Sequence, residues 1–279
     1  MKKIKLRTKE SYKGISFLSI GILGFTCIYI YPFILSLFNI DVKTVEQLVG
    51  SNTFWLALRN TFKFAVIAIP LLLIISFMIA LTLEHLYINN KILYNLFIFF
   101  HLFPMIVPSF IVSFVFKIFF SDYGIINGLL DKINVGRVYW LNSEISLILL
   151  IIIYIWKYYG YGMVIILGGL RSVEKSTIEA AMVDGAGKLS ILFKIRIPQI
   201  KSYIIFVIMM EVVNMFKVFR ESSILFGDYP HSSIYMIQNY MNNSMNSLNY
   251  TKLSCASIIL IFFFTIFVLG VLKFSTNKE

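Results

Sequence analysis

Long apolar runs, separated by short polar segments, dominate this 279-residue chain. Six of them approach the ~20 residues that a helix needs to cross roughly 30 Å of hydrocarbon. They lie at 14–38, 62–83, 92–119, 145–169, 203–219 and 253–274. The pattern predicts an all-α membrane protein with six transmembrane helices. The third run carries Pro104 and Pro108. Neighbouring helices can satisfy the backbone groups that those prolines free, so a kink is expected there rather than a break. The fifth run is the shortest and holds Glu211 and Lys217. The first run is too long for a cleaved signal and no small-residue cleavage site follows it, so it is expected to stay as a helix. The domain reading is a basic N-terminus over 1–13 and one transmembrane domain over 14–279.

Composition sharpens this picture. Apolar residues make up 58% of the chain and charged residues only 14%, with a mean hydropathy of +0.82. A soluble domain carries about a quarter charged residues, and a disordered chain is far less apolar. The net charge of +11 fits positive loops at a membrane surface, with no nucleic-acid partner. Segments placed inside hold 15 Lys and Arg, six of them in 1–13 and six in 170–202, against six in the segments placed outside. The positive-inside rule then puts both termini in the cytoplasm and makes the chain a multi-pass protein of the cell membrane. Cys27 and Cys255 sit in apolar runs without metal-type spacing.

The inside loop over 171–201 is patterned, not merely polar. Ser176-Thr177-Ile178-Glu179 reads as a capping box opening a short helix through Ala180, Ala181, Met182 and Val183. Gly185 and Gly187 punctuate it, because glycine tolerates turn conformations that other residues resist. Leu189, Leu192, Phe193 and Ile197 are spaced for one apolar face of a second short helix. Pro198 disfavours its continuation. A helix–turn–helix lying under the membrane is expected.

Glu179-Ala180-Ala181-x-x-Asp184-Gly185-Ala186, followed by Phe193, Ile195 and Pro198, resembles the EAA loop of binding-protein-dependent ABC importer permeases. Asn60-Thr61 opens the second span as is usual in that family. Gly124-x-x-Asn127-x-Leu129-Leu130 and Trp140-Leu141 are similar to its external segment, and Trp156, Gly168 and Leu170 lead into the loop as in carbohydrate-type permeases. The resemblance covers roughly 50–200. A Gly-Gly-Pro-Thr-like segment that many carbohydrate permeases carry after span five is replaced here by Leu225-Phe226-Gly227-Asp228-Tyr229-Pro230. The resemblance implies a type I importer fold. It also implies a pore shared with a second permease subunit, separate ATPase subunits that dock on this loop through Glu179, and an extracytoplasmic solute-binding protein. The solute it implies is a carbohydrate or related polar organic molecule.

Each of these residues has a local reading beside the functional one. Glu179 serves a capping box as well as a docking site. Asp184-Gly185 is a common turn dipeptide. Ala186, Phe193 and Ile195 have packing against the spans as their alternative. Ionisable groups at membrane depth are costly and are functional candidates. Lys63 and Lys117 lie near span ends and are read as snorkelling. Lys157, Glu211, Asn214 and Lys217 are candidates for the translocation path, with a buried structural pair as the other reading. Asn214 lies one turn from Glu211 on the same face. Enzymatic signals are missing: Gly187-Lys188 is followed by Leu189, so there is no phosphate-binding loop. ATP hydrolysis is expected on another chain. His85, His101 and His231 are scattered, and no metal or cofactor is expected. An ion-driven secondary transporter, with more spans and a repeat, and an integral membrane enzyme, with clustered acid–base residues, are the rival readings.

Overall fold

The computed structural model describes residues 18–276, so the basic 1–13 segment and the last three residues lie outside it. All the regular elements among the described residues are helices, without a strand. They include six helical segments long and apolar enough to cross a membrane: Leu18–Phe38, Asn52–Tyr87, Ser109–Lys132, Ser146–Ser172, Lys201–Phe226 and Tyr250–Val271.

Two compact units are distinguished. One holds 18–51 with 244–263, the other 52–243 with 264–276. In the first unit, helix α1 (Leu18–Phe38) relaxes into a π-turn at Thr26–Ile30. A short helix α2 (Val42–Val49) follows, capped by the Asp41 carboxylate, which accepts from the Thr44 N–H at 3.0 Å and the Thr44 hydroxyl at 2.9 Å. Those two bonds favour the charged form and hold Asp41 below the ordinary carboxylate range.

The second unit is built on α7 (Ser146–Ser172), the most extensively buried helix. Helix α3 (Asn52–Asn89) packs along it, α4 (Lys91–Ile106) crosses it, and α11 (Lys201–Lys217) lies against both α3 and α7. Three core clusters are described among these helices. Leu83, Leu170, Val173 and Ile200 belong to the one beneath the 171–201 loop. Phe64, Leu72, Tyr154 and Val212 belong to the middle one. Val112, Leu149, Ile153 and Leu225 form the third, where α5 (Ser109–Phe120) packs with α12 (Phe219–Phe226).

Close packing here depends on Gly160. A Cβ at this position would lie 2.0 Å from the His101 carbonyl oxygen, so only glycine lets α4 and α7 approach this closely. Gly160→Ala should lower the melting temperature of the detergent-solubilised protein, at a cost of about 1–3 kcal/mol for overpacking. Gly168→Ala, whose Cβ meets nothing within 4 Å, should leave the melting temperature unchanged. Equal melting of the two variants would refute the close-contact account.

Two expectations about the spans need correction. The third run is broken, not kinked. Pro104 stays inside α4, but Val107 and Pro108 are extended, with ψ of 126° and 140°, and a new helix starts at Ser109. A residue before proline is pushed out of the α region, and Val107 precedes Pro108. The third crossing is accordingly 109–132, made of α5 and α6 (Ile125–Lys132), with 91–106 as a shorter apolar helix. The fifth run does not stop at 219. It continues through a junction at Val218 into α12, taking Arg220 and Glu221 into the crossing.

Candidate functional site

The 171–201 loop leaves α7 through two extended residues, Val173 and Glu174. Val173 is buried in the core beneath the loop, and this anchors the entry. Helix α8 therefore runs from Lys175 to Val183 with Glu174 at its N-cap and no side-chain capping bond. The capping box expected at Ser176 and Glu179 is not formed. Packing of Val173 starts the helix two residues early and places Ser176 inside the first turn.

The end of α8 is set by the Asp184-Gly185-Ala186 segment. The Ala186 N–H donates to Ala181 O at 2.9 Å and the Gly185 N–H donates to Met182 O at 3.1 Å. This is a Schellman closure, which requires a left-handed residue after the cap. Gly185 supplies it at φ 80°. Gly187 is extended and caps α9 (Lys188–Ile191). A π-turn over Leu192–Arg196 comes next, then one turn, α10 (Ile197–Gln199), with Pro198 in its first turn.

Pro198 thus opens a turn rather than closing the segment, a second correction. Its missing N–H leaves the carbonyl four residues back without a donor. The Ile197 N–H instead reaches Leu192 O, five residues back. The expected apolar face also differs. Ile191 is the buried residue of the segment, whereas Leu189 and Phe193 are exposed.

This loop consequently has two faces. Ile178, Ile191 and Ile200 turn inward. Glu179, Met182 and Val183 share an outward face of α8 by their helical spacing. Val183 is 88% exposed and Phe193 63%. Ala180, Asp184, Gly185 and Pro198 are also exposed, and Ala181, Ala186 and Ile195 are half-buried.

The ionisable residues at membrane depth separate into two clusters. In the first, the Tyr154 hydroxyl lies 2.9 Å from both the carbonyl oxygen and Oε2 of Glu211. Asn214 Nδ2 donates to Glu211 Oε1 at 3.4 Å, and Lys217 Nζ donates to Asn214 Oδ1 at 2.9 Å. Asn214 therefore bridges the acid and the base. In the second, Lys157 Nζ forms a buried ion pair with Glu221 and donates to Ser109 Oγ at 3.0 Å. Glu211 and Glu221 are both fully buried. Tyr154 and Lys157 stand one turn apart on α7, so the clusters share a face of that helix. Glu221 was not among the sequence candidates, because the fifth run was ended before it. Lys63 and Lys117 are exposed.

The remaining signature residues are tied into the second unit. Asn60 Nδ2 donates to the carbonyls of Ser232 and Tyr235 at 2.6 and 3.0 Å, and the Thr61 hydroxyl accepts from the Ile237 N–H at 2.9 Å. Asn127 Oδ1 accepts from the Val138 N–H at 3.0 Å and from Trp140 Nε1 at 3.3 Å, joining the two external pieces of the signature. Among the described residues, no group of three His, Cys, Asp or Glu is placed to hold a metal ion.

An all-helical bundle with several membrane crossings, an ordered loop between the fourth and fifth, and charges buried between its helices belongs to the class of solute transporters. Residues 76–276 match the family described as binding-protein-dependent transport system inner membrane component, and the chain belongs to that family. It is similar to a probable ABC transporter permease, YesP of Bacillus subtilis, at 30% identity over 81% of this chain and 77% of that protein. The arabinooligosaccharides permease AraP of Halalkalibacterium halodurans is 28% identical over 61% of this chain and 54% of its own length. The trehalose/maltose permease MalF of Thermococcus litoralis is 25% identical over 84% and 80%. A bacterial alginate ABC transporter, solved with an alginate pentasaccharide-bound periplasmic protein, has a chain with the same fold. Its TM-score is 0.86 at 21% identity, covering 96% of both chains. The chain is a multi-pass permease subunit and not an enzyme, since ATP hydrolysis in this family resides on a separate subunit. That decides against the ion-driven transporter and the membrane enzyme.

Proposed function

We propose that this permease passes a carbohydrate or related polar organic solute inward, with both termini and the 171–201 loop on the cytoplasmic side. The outward face of the loop carries the proposal. Glu179 shares that face of α8 with Met182 and Val183, and Leu189 and Phe193 beyond the Gly185 turn are exposed as well. An exposed apolar patch with a charge at its edge is what a protein partner covers. The partner proposed is the ATPase subunit. The Lys and Arg balance favours the orientation, and the oligosaccharide permeases among the relatives favour the solute class. The Glu211–Asn214–Lys217 cluster supplies hydrogen-bonding groups within the bundle and is the proposed polar lining of the path. Lys157, paired with Glu221, braces that path from the same face of α7, one turn along. A second, non-identical permease completes the pore, and an extracytoplasmic binding protein delivers the solute.

The test uses the chain co-expressed with the ATPase and a second permease, purified in mild detergent and reconstituted with the binding protein. Co-purification of the ATPase and ATP-dependent uptake of a labelled oligosaccharide are expected. Uptake by the chain alone under an ion gradient, with no ATPase retained, would overturn the reading.

A further inference from the structure

The inward side of the loop grips two spans through one side chain. Arg196 Nη2 lies 2.5 and 2.6 Å from the two Glu84 carboxylate oxygens and 3.4 Å from the Leu170 carbonyl oxygen. Glu84 stands near the loop end of α3 and Leu170 near the loop end of α7. The contact is largely shielded, with side-chain exposures of 15% and 25%. It therefore escapes much of the screening that makes surface ion pairs weak. Arg196 Nε is buried without a partner, so the whole grip falls on the other side of the guanidinium. The next residue, Ile197, lines an apolar pocket with Leu73, Ile74, Phe77 and Met78 of α3. Ile200 is fully buried in the same core as Leu83 and Leu170. Residues 196–200 are thus the seat of the loop, and the outward-facing residues within 179–193 are its handle. Arg196 ends the π-turn that joins the two, and such turns recur at functional sites.

We propose that Arg196 is a positioning residue for coupling: its contact with Glu84 is the tether by which displacement of the loop moves α3. This rests on the reading that the loop docks the ATPase. A tether of this kind does not touch the partner. Its loss should leave docking intact and lower the solute moved per ATP hydrolysed.

The experiment compares Arg196→Gln, Glu84→Gln and the exchanged pair Arg196→Glu with Glu84→Arg in the reconstituted complex. ATPase co-purification, ATP hydrolysis and uptake are measured on each. Both single variants should keep the ATPase bound while uptake per ATP falls by about tenfold, the factor expected for one lost charge-assisted bond. The exchanged pair should recover most of the ratio. A wild-type ratio in both single variants would overturn the tether. Loss of the ATPase, or misfolding of the single variants that the exchanged pair does not rescue, would overturn it too, since Arg196 would then be a brace or a docking residue. Failure of the wild-type complex to retain the ATPase would instead sink the docking reading on which the tether rests.

Discussion

Glu221→Leu should destabilise the permease severely, and adding Lys157→Met in the same chain should restore it. Lys157 and Glu221 are both buried and meet in an ion pair between α7 and α12. Removing the acid leaves an ammonium at membrane depth with Ser109 Oγ as its hydrogen-bond partner and the Tyr158 ring beside it, but no counter-charge in contact. Breaking one side of such a pair costs about 3–5 kcal/mol, whereas replacing both partners by apolar residues of similar volume is about neutral. The surroundings suit that replacement, because Leu225 at the next turn of α12 already packs with Val112 and Ile153. Thermal melting by size-exclusion fluorescence is the measurement. The single variant should aggregate or melt far below wild type, and the double variant should melt close to it. Uptake should return with the fold, because the pair serves to hold α5 and α12 against α7. A double variant that melts normally but does not transport would place Lys157 on the solute path itself.

The six crossings and the loop turn were legible because each rests on local chemistry. Apolar run length sets a crossing, and an Asp-Gly-Ala segment behind a short helix sets a left-handed cap. Features that depend on packing at a distance were not legible. The break at Pro108 is a local exception: the proline pushes the preceding Val107 into an extended backbone, which apolar run length does not record. Whether Ser176 caps α8 is decided by Val173, which is pulled into the core beneath the loop. The end of the fifth run is hidden in the sequence because Arg220 and Glu221 look like a membrane boundary in one dimension. Lys157, 64 residues earlier in the chain, supplies the counter-charge that lets Glu221 lie inside. A search for a buried acid to balance Lys157 was the signal that would have found it. The Arg196–Glu84 contact spans 112 residues, and no local pattern announces it. The grouping of Lys157 with Glu211, Asn214 and Lys217 captured a shared helix face but missed that Asn214 and Glu221 divide the charges into two separate balances.

Gly185→Val and Glu179→Lys should each silence transport from the surface of the protein without disturbing the spans. The two act by different physics, which makes them a joint test of the loop. Gly185 holds φ 80°, and a Cβ there would meet nothing within 4 Å. The β-carbon of a replacement would therefore clash with no neighbour. The cost of valine is backbone strain, on the order of 1–3 kcal/mol for a β-branched residue in the left-handed region. The chain can relieve that strain by opening the Schellman turn, which would swing α9 and Phe193 away from α8. Gly185→Asn is the control, since asparagine adopts this conformation more readily than other side chains. Glu179 is exposed and α8 has no side-chain capping bond, so reversing its charge leaves the loop fold alone. It should instead weaken docking by about 2 kcal/mol, roughly 30-fold in affinity, as expected for a charge facing a basic partner across an interface. In vesicles supplied with the binding protein, solute-stimulated ATP hydrolysis and uptake should fall together in both variants. Membrane insertion and binding-protein capture should stay at wild-type level, and Gly185→Asn should transport. Wild-type hydrolysis and uptake in both Gly185→Val and Glu179→Lys would show that the outward face of this loop is not where ATP is felt.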